Sequence, residues 1–128
     1  MTLPKSDIIK SSREIGEVIR VGKRFTGRHL YVFYESSPLP EAGTKIRVAF
    51  TVSKRVRSAA DRNRLKRLMR EVYRINKENV ISIFGAGGLS PSVVMSCGYE
   101  VRTAAISLKD IEEDFKQFLR RISVDIAG

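Results

Sequence analysis

The side chains of this 128-residue chain best equipped to act on another molecule are cations, and they crowd into one stretch. Residues 45–74 hold eleven of the 24 Lys and Arg, among them Lys54, Arg55, Arg57, Arg62, Arg64, Lys66, Arg67 and Arg70, against only Asp61 and Glu71. That segment alone carries +9 of a net +10. A one-sided cluster of this kind attracts a polyanion, because each phosphate it neutralises releases a condensed counterion. Arginine's planar fork also suits phosphates and stacked bases better than lysine's point charge does. Nucleic acid is the partner class that this charge distribution points to.

The means to break bonds are sparse by comparison. One histidine, His29, rules out a multi-histidine metal site, and it reads as a surface strand residue. One cysteine, Cys97, rules out an internal disulfide framework or a thiolate zinc finger and reads as a small buried hydrophobe. A metal-dependent nuclease needs carboxylates grouped beside its binding face. Asp61 and Glu71 are the only acids in the basic segment, and each has a structural role open to it.

Local patterns supply the elements that must hold these cations. Ser11 and Glu14 form a capping box ahead of Ile15, Val18 and Ile19, predicting a helix over 12–21 closed by Gly22. Arg28 to Glu35 is aromatic and β-branched, a strand with Leu30, Val32 and Tyr34 on one face and Tyr31 and Phe33 on the other. Both faces therefore carry large apolar groups, and the second either packs under a helix or offers rings to unstacked bases. Pro38 to Gly43 reads as a turn, and Lys45 to Ser53 alternates cleanly, with Ile46, Val48, Phe50 and Val52 inward. The two strands are expected to pair as an antiparallel hairpin.

Ser58 and Asp61 open a second helix from about 59 to 76, continuing toward Ile83. Gly85 to Pro91 reads as a flexible loop and Ser92 to Cys97 as a buried strand. Ser107 and Asp110 cap a last helix over about 108–122, with Leu108, Ile111, Phe115, Phe118, Leu119 and Ile122 on its apolar face. Asp110, Glu112, Glu113 and Asp114 complement that helix's dipole. The order α-β-β-α-β-α describes one α+β domain spanning 1–128, with its core over about 8–122.

On a helical wheel, Leu65, Leu68, Met69 and Val72 occupy an arc of roughly 100°, and Arg62, Lys66, Arg70, Asn63, Arg74 and Arg67 fill the arc beside it. Like charges four residues apart cost a few tenths of a kcal/mol per pair, a cost that a bound polyanion reverses. Solvated helix faces normally intersperse acids, and this one barely does.

Arg62-Asn63-Arg64-Leu65-Lys66-Arg67-Leu68-Met69-Arg70-Glu71, with Val52-Ser53-Lys54-Arg55 about ten residues upstream, resembles the signature block of the bacterial ribonuclease P protein component. The first helix ending at Gly22, the strand opening at Arg28 and the closing amphipathic helix extend the resemblance over roughly residues 8–122. It implies a single-domain α/β sandwich like the second domain of ribosomal protein S5, with a left-handed βαβ crossover. It also implies an accessory subunit of a ribonucleoprotein endoribonuclease, inactive alone. The ribonuclease P catalytic RNA, with Mg²⁺, removes the 5′ leader of precursor tRNA.

By position, the resemblance assigns RNA binding to Lys54, Arg55, Arg62, Asn63, Arg64, Lys66, Arg67 and Arg70. It assigns the leader cleft to Ile15, Ile19, Tyr31, Phe33, Thr51 and Ser53. The family commonly has phenylalanine at the two helix positions, and isoleucine keeps the apolar wall with less stacking. A non-catalytic RNA-binding or ribosome-associated protein of similar fold is the alternative, and the Arg62–Arg70 spacing with Lys54 and Arg55 favours the first reading. No run of about 18 apolar residues exists to span a membrane. Residues 1–7 lack the apolar stretch of a secretory signal, so a cytoplasmic location is expected.

Overall fold

A computed structural model describes residues 3–38, 45–98 and 105–127. After a 3-10 turn at Lys5–Asp7 come α1 (Ser12–Val21), β1 (Lys23–Thr26), β2 (Leu30–Pro38) and β3 (Arg47–Val52). They are followed by α2 (Ala59–Ala86), β4 (Leu89–Cys97) and α3 (Leu108–Ala127). The strands form one sheet in the order β1-β2-β4-β3. β2 is antiparallel to both β1 and β4, while β3 runs parallel to β4, so α2 is the crossover of a βαβ unit.

Strand alternation divides the interior into two apolar layers. Leu30, Val32, Val48, Val93 and Met95 lie beneath Leu65, Met69 and Val72 of α2 and Ile111, Phe115 and Phe118 of α3. Phe33, Ala49 and Val94 face the other way and are covered by Val18 of α1 and by Ile9. The faces predicted for Leu30 to Tyr34 and for Ile46 to Val52 are therefore the faces observed. The three serine caps also form: Ser11, Ser58 and Ser107 hydroxyls accept from the backbone N–H of Glu14 (3.3 Å), Asp61 (3.3 Å) and Asp110 (3.2 Å). In return the Ser107 backbone N–H, 2.9 Å from Asp110 Oδ2, holds that carboxyl below the ordinary carboxylate range.

The expected β2–β3 hairpin does not form, because β4 lies between them, pairing Val93 with Tyr34 on one side and with Val48 on the other. The reason lies in β4 itself. Val93, Val94, Met95 and Cys97 are all buried, so both faces need cover and the strand belongs in the middle. Alternation in β2 and β3 specified their buried faces but not their neighbours. Of the turn expected over 38–43, residues 39–43 fall outside the described residues.

Three further boundaries differ. β1 has one buried side chain, Phe25, and so no periodic signal. The expected loop at Gly85–Pro91 is a two-residue turn, Gly87-Gly88, with Gly88 at φ +68°, and β4 already starts at Leu89. Pro91 is tolerated there because the β3 ladder begins only at Ser92. α3 runs to Ala127, and Leu108, expected on its apolar face, is 36% exposed.

Asp114 is the clearest departure within α3. It does not serve the helix dipole on the surface but is buried, and its Oδ2 accepts from the backbone N–H groups of His29 (2.6 Å) and Leu30 (3.0 Å). This ties the β1–β2 turn to α3. A Cβ at Gly27 would lie 2.8 Å from Asp114 Cγ, so the turn needs glycine for close approach. Asp114→Ala strands two amide donors and is expected to cost about 2 kcal/mol. Chemical denaturation should show this as a lower midpoint at unchanged slope, and an unchanged midpoint would mean that water replaces the carboxylate at no cost.

Candidate nucleic-acid interface

The first half of α2 runs beside β3. Arg70 stands over the Phe50 ring, its Cζ 5.8 Å from the centroid. Lys66 and Arg70 border a groove of about 360 Å³ whose other walls are Leu3, Ile8, Ile9, Ile15, Ala49 and Phe50. The predicted cleft residue Ile15 and two predicted RNA-binding cations thus meet at one depression. A larger groove of about 530 Å³ lies between α2 and α3, lined by Asn76, Asn79, Lys116, Arg120 and others, and shares no residue with it.

Lys54, Arg55, Asn63, Arg67 and Arg70 are exposed and Lys66 is half-buried. Among the described residues, none of these five cations enters an ion pair. The cationic stripe is shorter than the wheel suggests, because Arg74 donates from Nε to Glu71 Oε2 at 2.9 Å. That bond pulls the Glu71 carboxyl below its usual range and raises Arg74. Lys77 is likewise engaged, 2.6 Å from Asp7. The uncompensated run therefore stops at Arg70. Arg62 and Arg64 are half-buried and spend donors inside the protein, Arg62 on the carbonyls of Val56 and Arg57 and Arg64 on that of Ile106.

The six cleft residues divide. Phe33 is 8% exposed and sits in the apolar layer under α1, with Ile15 packed against the same cluster and Ile19 39% exposed at the helix surface. Tyr31 and Thr51 are half-buried, and Ser53 is buried, its hydroxyl accepting from Arg55 N–H at 3.2 Å.

Register adds residues that sequence reading missed. Thr26, Tyr31, Ser96 and Thr51 are mutual partners across β1, β2, β4 and β3, one row of hydroxyl-bearing residues spanning the sheet on the face that carries α1. In the neighbouring row, Arg24, Phe33, Val94 and Ala49, the last three lie under α1, while Arg24 is exposed. Ser96 is buried within the sheet, whereas Thr26, Tyr31 and Thr51 reach the surface, where hydroxyls that donate and accept suit ribose and phosphate oxygens. Ser96 could not be placed beside Tyr31 without knowing that β4 separates β2 from β3, nor Thr26 without knowing of β1, which carries no periodic signal.

Among the described residues, no group of three or more His, Cys, Asp and Glu could hold a metal ion, and no helix is long and apolar enough to cross a membrane. A helix with an uncompensated cationic flank, set along a sheet edge beside a hydroxyl-lined face, defines an RNA-binding protein of the α/β sandwich class. The family model described as Ribonuclease P matches residues 3–123, and the chain belongs to that family, the accessory protein subunit of the ribonucleoprotein endoribonuclease ribonuclease P. The ribonuclease P protein component of Chlorobaculum tepidum is 35% identical over 127 residues, covering 94% of this chain and 82% of that protein. The fold is shared with the ribonuclease P protein of Thermotoga maritima (TM-score 0.69, 19% identity, 88% of this chain and 94% of that one). It is also that of the Staphylococcus aureus protein (TM-score 0.66, 19% identity, 91% and 95%).

Proposed function

We propose that this subunit binds the ribonuclease P catalytic RNA through the basic surface of Lys54, Arg55, Asn63, Lys66, Arg67 and Arg70, with Arg62 and Arg64 of the same motif anchored behind it. It holds the 5′ leader of precursor tRNA across the face that includes Ile15, Ile19, Tyr31, Thr51 and Ser53, with Phe33 packed beneath as part of its support. The observation that carries this reading is the meeting of the two surfaces at one groove, where Lys66 and Arg70 border Ile15. A cationic surface between two RNA strands screens their mutual repulsion and lets them lie side by side. Hydrolysis belongs to the RNA, with Mg²⁺ acting there. The chain's own groups neutralise phosphates and orient the leader. Such an assembly works in the cytoplasm, where tRNA precursors are made.

Reconstitution tests this directly. The purified protein alone should cleave no precursor tRNA at any Mg²⁺ concentration. Added to a bacterial ribonuclease P RNA, it should lower the Mg²⁺ and salt at which the 5′ end matures. Cleavage without RNA would reinstate a stand-alone nuclease, and no effect on the RNA's activity would leave a general RNA-binding protein.

A further inference from the structure

The motif arginines do not all do the same work. Arg62 Nη1 donates to two adjacent carbonyls, those of Val56 (2.8 Å) and Arg57 (2.7 Å), in the loop between β3 and α2. An Nη group has two protons, so this nitrogen is committed. Arg64, two positions on and roughly 200° around the helix, donates from Nη2 to the carbonyl of Ile106, immediately before the Ser107 cap of α3. The first turns of α2 thus fasten two loops, one on each flank.

The first loop matters because of what it displays. It is already a tight turn, with Val56 N–H donating to Ser53 O at 3.1 Å and Ser53 N–H to Cys97 O at 2.9 Å. Val56 is buried against Gly98, where a Cβ would come within 2.8 Å of its Cγ2. Lys54, Arg55 and Arg57 extend from this turn, all exposed. Without the Arg62 bridge, the carbonyls of Val56 and Arg57 lose their partner and the three cations lose a defined distance from Lys66, Arg67 and Arg70. A phosphate array has fixed spacing, so cations in a fixed frame bind it at less entropic cost than cations on a mobile loop.

We infer that Arg62 is a positioning residue that sets the β3–α2 loop, with Arg64 holding the α3 entry in the same way, and that Arg57 is a further RNA-contacting residue presented by that loop. The inference rests on the reading that the basic surface binds RNA. Arg57→Ala removes one contact. RNA binding should weaken about five- to eight-fold at 0.1 M salt, and the slope of log K against log salt should fall by roughly 0.7–0.9.

Arg62→Gln should also weaken binding and, in the free folded protein, should speed amide hydrogen exchange at residues 53–58. Combined with Arg57→Ala it should cost clearly less than the product of the two separate effects, because a loop already displaced has little left to lose. The same cycle between Arg67→Ala and Arg57→Ala should be multiplicative. Should Arg62→Gln not fold, Arg62→Lys takes its place, keeping the charge while losing the fork. Multiplicative effects with unchanged loop exchange would make Arg62 a direct phosphate contact and overturn the positioning role. An unaltered salt slope in Arg57→Ala would remove Arg57 from the interface. If Arg57→Ala, Lys66→Ala and Arg67→Ala all leave affinity and slope untouched, the reading of the basic surface fails instead.

Discussion

Replacing Lys66, Arg67 and Arg70 together by alanine is expected to weaken binding to the ribonuclease P RNA by about 100- to 500-fold at 0.1 M salt, while the slope of log K against log salt falls by roughly 2–3. These side chains are chosen because, among the described residues, none is paired with a carboxylate and none spends a hydrogen bond on the loops, unlike Arg62, Arg64 and Arg74. Arg70 stands on the Phe50 ring, so part of its loss is packing, and Arg70→Gln in the same background separates stem from charge. The helix beneath should survive. Its buried side, Leu65, Met69, Val72 and Tyr73, is untouched, and removing like charges three and four residues apart relieves repulsion. Thermal unfolding at or above the wild-type midpoint, together with the lost affinity, is the expected pair of results. A triple variant that binds with the wild-type salt slope would show that the RNA docks elsewhere.

Phe33→Ala and Tyr31→Ala should fail in opposite ways, although the two rings share a strand face. Phe33 is packed among Val18, Ala49, Val94 and Ile9, and truncating such a ring leaves a cavity costing about 3–4 kcal/mol. For a chain of this size that lowers the melting midpoint by more than 10 °C, at roughly 4 °C per kcal/mol. The fraction that remains folded should bind leader-bearing precursor tRNA within about twofold of wild type. Tyr31 is half-buried at the rim of that cluster, in the hydroxyl row. Its truncation should cost less stability and weaken binding of leader-bearing precursor by roughly 1–3 kcal/mol if a base stacks there, leaving mature tRNA unaffected. A stable Phe33→Ala that has lost leader affinity would put that ring, and not Tyr31, against the RNA.

The row that α1 covers makes this division, and the strand's own pattern does not contain it. Leu30, Val32 and Tyr34 were separable from Tyr31 and Phe33 by alternation alone, since side chains on a strand point to opposite faces. Which ring of the second pair lies under a helix depends on where α1 crosses the sheet.

The same boundary runs through the whole chain. Interactions within a few residues were legible: the caps at Ser11, Ser58 and Ser107, the apolar stripe of α2, the burial of Val93 to Cys97, and the cationic stripe with the motif that places the chain in its family. Each depends on neighbours along one helix turn or one strand, so residue type and spacing determine it. Only the tertiary structure decided that β4 separates β2 from β3, and that Thr26 and Ser96 flank Tyr31. It also decided that Asp114 binds a turn some 85 residues away and that Arg62 and Arg64 turn inward to loop carbonyls. Most of these pair distant segments. Even the short-range ones, Thr26 with Tyr31 and Arg62 with the loop carbonyls, depend on a turn whose path the local pattern does not specify; many partners satisfy that pattern equally well. What selects among them is the requirement that every buried face be covered and every buried amide and carboxylate find its partner at once, a condition on the assembled chain that no window of sequence contains.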